Sequence, residues 1–275
     1  MMLQAEKITS RKSPVVRDAA SLLQKAEKRS EAGLFMAEGA RLCADAAKSH
    51  TGIAVCFYTE AAQKKYAAYL EPVLKVAEKA YCVEEHIAPL LSDTKNPQGI
   101  FCVCRMPAQK RNDTADDRHI LVLENVQDPN NMGNILRTAE ALGIRRIALV
   151  DACCDIYGPK VLRGSMGAVF RIASEQYENA AACLDALNGR GYTSLASVPD
   201  STAVPITHIS FTSGKWAAWI GNEGNGMTEY AIENCAEKIT IPMLGRAESF
   251  NASTAAAIIM WEMMRGESRE ANVRG

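Results

Sequence analysis

Short continuous apolar runs alternate along the chain with stretches in which apolar residues recur every three or four positions. In the C-terminal part the runs are HILVLENV, RRIALVD, VFRIAS, TSLASV, KWAAWIG and KITIPM, and they predict strands. Helices are predicted between them at 131–143, 179–188, 228–235 and 251–265. Continuous apolar strands separated by helices imply a parallel sheet covered on both faces. In such sheets ligands bind beyond the carboxyl ends of the strands, so the strand-end turns are where chemistry is to be sought.

The N-terminal part alternates less regularly. PVVRDAASLLQKAEKR reads as one helix with Pro14 in its first turn, and GARLCADAAKSH as a second. GIAVCFYT and GIFCVCRM read as strands. AAQKKYAAYLEPVLKVAEKA reads as a helix bent or broken at Pro72. These elements predict a small α/β sandwich. Between the two parts, MPAQKRNDTADDR (Met106 to Arg118) is polar, charged and aperiodic, as a linker should be. The expected organisation is a domain over 1–105, a linker over 106–118 and a second domain over 119–275.

Composition narrows the function classes. The net charge is -1, so no global field draws the protein to nucleic acid or membrane, and an anionic partner must meet a local patch. Lys7, Arg11, Lys12, Arg17, Lys25, Lys28 and Arg29 offer one, although Glu6, Asp18 and Glu27 dilute it towards an ordinary solvated face. There are nine cysteines and no C-x-x-C, which argues against a thiolate zinc site and for buried, reduced thiols. His50, His86, His119 and His208 are scattered, so no metal is expected. The start MMLQAEKITSRKS has no apolar core of a secretory signal, and STAAAIIMWEMM is too short to span a bilayer. A cytoplasmic protein is expected.

Three strand-end turns carry candidate chemistry. In NVQDPNNMGNILRTAEALGI, Ile135, Leu136, Ala139 and Leu142 form one stripe, which leaves Arg137 nearly opposite. An outward arginine at the start of a helix overhanging the cleft suits a phosphate or a second subunit, and an ordinary surface role equally. Asn131 has an alternative reading as an N-cap. In WIGNEGNGMTEY the strand ends in Gly221, and three glycines in six residues permit close backbone approach. The order G-x-x-G-x-G, with Glu223 inside it, is not a dinucleotide fingerprint, since a carboxylate there would repel pyrophosphate. In IPMLGRAESFNASTAAAIIMWE a loop from Gly245 to Phe250 leads into a helix opened by Asn251, Ser253 and Thr254, with Ser249 and Asn251 also readable as cap residues.

These three segments, with RGSMGAVFR between them, resemble the SpoU/TrmH branch of the SPOUT superfamily over about Ile120 to Met264. ITSRKSPVV, FMAEGARL and SDTKNPQGI resemble the L30e-like substrate-binding domain that many members carry. The resemblance implies an S-adenosylmethionine-dependent RNA ribose 2′-O-methyltransferase, with a C-terminal α/β domain of parallel sheet and trefoil knot behind a smaller N-terminal α/β domain. It implies a homodimer with the active site at its interface. Carried over, the motif positions with catalytic roles are Arg137, Asn131, Glu223, Ser249 and Asn251. Those around the methyl donor are Gly221, Ile241 and Phe250, with Ser197 and Met243 nearby. Phe250 stands where leucine is usual, a change that a backbone contact tolerates.

A ribose hydroxyl is a poor nucleophile near neutral pH, whereas a sulfonium is an activated leaving group. The protein must therefore mainly align atoms and manage one proton, and positioning can supply roughly 7–11 kcal/mol. A guanidinium stays protonated in proteins, which favours Arg137 as an electrostatic organiser over a base. Ribosomal RNA is the first expected substrate and transfer RNA the second. The competing classes are a non-catalytic RNA-binding or ribosome-assembly dimer of the same fold and a related enzyme that methylates a base.

Overall fold

The computed structural model describes residues 5–107 and 118–265. The expected linker lies outside them except for Met106, Pro107 and Arg118. In chain order the elements up to the linker are β1 (Glu6–Ile8), α1 (Pro14–Gln24), α2 (Ala26–Ala32), β2 (Leu34–Glu38), α3 (Ala40–Lys48), β3 (Ile53–Tyr58), α4 (Glu60–Lys65), α5 (Ala67–Val76), β4 (Lys79–Val83) and β5 (Ile100–Arg105). Beyond it come β6 (His119–Glu124), α6 (Pro129–Leu142), β7 (Arg146–Val150), α7 (Pro159–Gly164), β8 (Ala173–Tyr177), α8 (Ala180–Gly189), β9 (Tyr192–Ser197), β10 (Val204–Pro205), β11 (Lys215–Ile220), α9 (Glu229–Asn234), β12 (Glu237–Thr240) and α10 (Ala252–Met264). They form two compact units, Met1–Ala108 with Asp155–Arg171, and Gln109–Cys154 with Ile172–Gly275.

The first unit is built on a five-stranded sheet in the order β1-β4-β3-β5-β2. β1, β4 and β3 run parallel, while β5 is antiparallel to both of its neighbours. Val16, Leu22, Met36, Phe57, Ile87 and Phe101 belong to its core. Two helix expectations need correction. The first helix divides at Lys25, whose backbone is extended (φ -128°, ψ 125°). The break in the long helix falls at Tyr66, and Pro72 sits inside α5, where a helix can bear one missing hydrogen bond if its apolar face is well packed. Leu70 and Val73 supply that buried face.

Asp155–Arg171 lies by sequence between β7 and β8, within the range expected for the second domain, yet it packs in the first unit. Arg29, only 5% exposed, donates from Nε to Asp155 Oδ2 at 2.6 Å. Tyr157 stacks on Phe35 with ring centroids 4.7 Å apart. Arg171 donates to Asp45 Oδ2 at 2.7 Å. A near-buried ion pair and an aromatic stack hold far more firmly than surface charges.

The second unit carries a seven-stranded sheet in the order β10-β12-β9-β11-β6-β7-β8, parallel throughout, as the apolar runs predict. All six residues of β6 are buried. Ile120, Val122, Ala217 and Trp219 form the centre of one core layer. Only the last two residues of VFRIAS are strand: Ala168–Phe170 is a short 3-10 turn that follows left-handed Met166 and Gly167, and β8 runs from Ala173 to Tyr177. β8 is a polar edge strand, so the apolar run placed it too early in the chain. Register sets the rim. Leu123 pairs with Ile220, Ala196 with Trp219 and Ser197 with Ile239, which brings the carboxyl ends of β6, β11, β9 and β12 together.

Candidate active site at the strand ends

The first turn is organised by Asp128. Its Oδ1 accepts from the Asn130 and Asn131 backbone amides at 2.6 and 3.2 Å, and Pro129 opens the helix. Asp128 is therefore the N-cap of α6, the role that the alternative reading gave to Asn131. Relieved of capping, the Asn131 side chain, 8% exposed, reaches both other turns. Its Nδ2 donates to Glu223 Oε1 at 2.9 Å, and its Oδ1 accepts from Asn251 Nδ2 at 3.1 Å. Charge dictates that polarity: a carboxylate accepts only, so Asn131 must turn its amide to Glu223 and its carbonyl to Asn251. Asn251 in turn caps α10, its Oδ1 accepting from the Ser253 and Thr254 amides at 3.0 and 3.4 Å. Glu223, Asn131 and Asn251 thus form one hydrogen-bonded chain across three turns distant in sequence.

The second turn is pinned twice. A Cβ at Gly221 would lie 2.3 Å from Gly226 C and from Met227 N, so the loop closes only over a glycine. Asn222 and Gly226 then exchange backbone hydrogen bonds of 2.9 and 3.0 Å. The Asn222 side chain accepts from the Gly224 and Asn225 amides at 2.8 and 3.1 Å and donates to Asn125 O at 2.8 Å. At the far end of the loop Glu124, 1% exposed, accepts from Thr228 N at 3.0 Å and from its hydroxyl at 2.7 Å. Thr228 Oγ1 also caps α9 through Ala231 N at 3.2 Å. Glu124 and Asn222 had no assigned role in the sequence reading. The signal for Glu124 was a carboxylate at the end of an otherwise apolar run, where only a dedicated partner makes burial tolerable.

Between the second turn, the third turn and the end of β9 lies a cavity of about 340 Å³, within the range of small-molecule sites. Gly221, Ile241, Phe250, Ser197 and Met243 line it, as do Glu223 and Ser249. Asn131 and Asn251 meet it through Glu223. Arg137 does not line it. It stands exposed on α6 and makes no hydrogen bond or ion pair with a described residue, whereas Ile135, Leu136 and Ala139 of the same helix are buried. Ser197 donates to Trp219 O at 2.6 Å, locking β9 to β11 at the rim. Burial, and then the Glu124 carboxylate, push the neighbouring Cys235 thiol up to about 12, so that thiol stays protonated and is no nucleophile at neutral pH. Among the described residues no group of His, Cys, Asp and Glu has the arrangement of a metal site. No described helix is long and apolar enough to cross a membrane.

The cavity is walled mainly by small and aliphatic residues, with Phe250 and the amides of Asn222 and Asn225, and among the described residues Glu223 is the one charged group lining it. Residues 118–261 match the SpoU rRNA Methylase family. The chain belongs to that family. Residues 13–102 match the MRM3-like substrate binding domain, in keeping with the expected substrate-binding role of the N-terminal part. Among relatives of this SpoU methylase, the 23S rRNA (guanosine(2553)-2′-O)-methyltransferase RlmP of Bacillus subtilis is 31% identical, over 94% of this chain and 99% of the relative. A tRNA/rRNA methyltransferase of Synechocystis is 29% identical, over 94% and 93%. The structure of an AdoMet-bound rRNA methyltransferase from Sinorhizobium meliloti superposes with a TM-score of 0.84 at 26% identity, covering 95% of this chain and 98% of that one.

Proposed function

We propose that the protein transfers a methyl group from S-adenosylmethionine to a ribose 2′-hydroxyl of ribosomal RNA, in the cytoplasm and as a homodimer. The observation that carries the reading is the joined set of turns: Glu223, Asn131 and Asn251 in one hydrogen-bonded chain over a cavity lined by Gly221, Ile241 and Phe250. The lining fits the donor. Aliphatic walls at Ile220, Ile241 and Ile259 suit an adenine face, and open backbone at the Gly221 and Ile241 strand ends suits its polar edge. The lone carboxylate complements a sulfonium cation. When bound, S-adenosylmethionine supplies the electrophilic methyl carbon.

The chain's own residues do the rest. Arg137, exposed on α6 and without a partner among the described residues, grips an RNA phosphate and, by its two-pronged guanidinium, orients the sugar; in the proposed homodimer it serves the partner's cavity. Ser249 lines the cavity and Asn251 caps the helix that borders it; together they fix the ribose side. Glu223 holds Asn131 and, through it, the mouth of α6. Together these residues would align the 2′-hydroxyl with that methyl carbon and let the hydroxyl proton pass to phosphate or water. The knotted C-terminal path and the domain division at 1–105 and 119–275 belong to the same proposal. Ribosomal RNA is preferred because RlmP, similar over nearly its full length, is a 23S rRNA enzyme.

The test is transfer of labelled methyl groups to ribosomal and transfer RNA, followed by nucleotide mapping. Label on a ribose 2′-oxygen of ribosomal RNA is expected. Label on a base, or on transfer RNA alone, would overturn the assignment.

A further inference from the structure

The RGSMGAVFR segment, Arg163 to Arg171, takes no part in the strand-end cavity. With α3 it walls a second cavity, of about 430 Å³, inside the first unit. Four cations line this space, Arg41, Lys48, Arg163 and Arg171, against two carboxylates, Glu38 and Asp45. Both carboxylates are already engaged. Glu38 accepts from the Thr94 hydroxyl at 2.6 Å and from Asp93 N at 3.0 Å, and Asp45 accepts from Arg171 at 2.7 Å. Arg41 and Lys48 are exposed and make no hydrogen bond or ion pair with a described residue. They sit two turns apart on one face of α3, roughly 10 Å along its axis. Arg163 gives Nη2 to Asp93 at 2.7 Å, while its Nη1 is shut from solvent with no acceptor among the described residues.

The same cavity offers apolar surface. Met166 is 57% exposed although its backbone is left-handed (φ 51°), a conformation that methionine rarely adopts. The turn is held there by its neighbour: a Cβ at Gly167 would lie 1.8 Å from Asp45 Oδ2, so the segment presses onto α3 and leaves Met166 outside. Backbone kept in a sparse region is characteristic of sites where the strain serves a purpose. Tyr69, 37% exposed, lines the cavity too. Exposed cations beside an aromatic ring and an exposed thioether match the two halves of a nucleotide. A free phosphate would use only the first half.

We propose that this cavity takes one unstacked nucleotide of the RNA substrate, its phosphate on Arg41 and Lys48, and its base against Tyr69 and Met166. The inference rests on the reading that RNA is the substrate, and adds where a single-stranded part of it is held.

Binding of the full chain to a single-stranded oligouridylate, followed by anisotropy over a salt series, is the test. For Arg41→Ala/Lys48→Ala the affinity should fall at least tenfold. The slope of log K against log salt should shrink by about 0.7, since the cavity holds one phosphate and each single-strand phosphate contact contributes about that much. Tyr69→Ala should weaken binding about tenfold with the slope unchanged, as stacking is uncharged. Coincident curves for wild type and the double variant overturn the proposal. So does binding of inorganic phosphate as tight as that of the oligouridylate. Calorimetry with S-adenosylmethionine on the same proteins separates the two readings: no binding by wild type would count against the methyltransferase function, whereas normal binding with coincident RNA curves would count against this cavity alone.

Discussion

The two cavities are of similar size and opposite chemistry. Among the described residues the strand-end cavity has a single charged lining residue, Glu223, and its shape rests on backbone that only glycine lets close. The cavity of the first unit has six charged residues among ten and an exposed ring and thioether beside them. A small cationic donor needs shape, aliphatic cover and one carboxylate. A polyanion needs unpaired cations, and flat apolar surface wherever its bases leave the stack. One chain can hold both because each cavity is assembled by a different kind of element: parallel strand ends in the second unit, and a helix face with an inserted segment in the first.

Variants can break or sharpen that contrast. The largest expected effect lies in neither cavity. Glu175, 5% exposed, receives Arg146 and Arg190 at 2.6 and 2.7 Å and the Tyr177 hydroxyl at 2.6 Å. Glu175→Gln should cost about 3–5 kcal/mol in denaturant unfolding, because buried cations lose their anion. Once stability is corrected for, both ligand affinities should be retained, and a selective loss of either would break the comparison. The pH dependence follows from the same group. Burial pushes the Glu175 carboxyl up, but hydrogen bonds from Tyr177, Arg190 and Arg146 outweigh it and leave the folded value below the ordinary one. Its contribution is therefore complete above the unfolded value, about 4.3, and is lost as pH falls through the lower folded value. The Tm gap between wild type and Glu175→Gln should narrow in acid; a gap that widened would contradict this sign.

Gly221→Ala comes next. Its methyl has no room against Gly226 and Met227, so the loop must shift by about an ångström, and methyl transfer should fall about a hundredfold or more. Oligouridylate binding should persist, which confines the effect to one cavity. Glu124→Ala should be milder, about 1–3 kcal/mol in unfolding, since it orphans the Thr228 amide and hydroxyl. Its S-adenosylmethionine affinity should drop while its salt slope on RNA stays fixed. An unchanged affinity would mean that the 221–228 loop holds its form without the strand beneath it.

The second unit was the more legible in sequence because its strands are buried on both faces and read as unbroken apolar runs. β6, β7 and β11 fall within predicted runs, and β9 and β12 begin one residue before theirs. β8 lies mostly outside its run, because an edge strand needs no such run, and its true residues, ASEQY, alternate polar and half-buried positions. In the first unit β1, β2 and β4 went unseen, being short and partly polar. The insertion of Asp155–Arg171 into that unit was invisible for a different reason. It depends on Arg29 meeting Asp155 and on Asp45 meeting Gly167, pairings between residues far apart in sequence that no local pattern encodes. At the strand ends, motif positions were legible while their wiring was not. Asp128 took the cap, and that freed Asn131 to join Glu223 and Asn251.

The proposed function divides the labour between a pocket that holds the donor and an arginine outside it that holds the sugar. Arg137 is exposed and buries nothing, so replacing it should leave the fold intact. Methyl transfer and S-adenosylmethionine binding should be measured side by side for wild type, Arg137→Lys and Arg137→Ala. Both variants are expected to bind the donor as wild type does and to lose transfer about a hundredfold or more. Transfer by Arg137→Lys at the wild-type rate would contradict bidentate positioning, and transfer by Arg137→Ala at that rate would contradict the account as a whole.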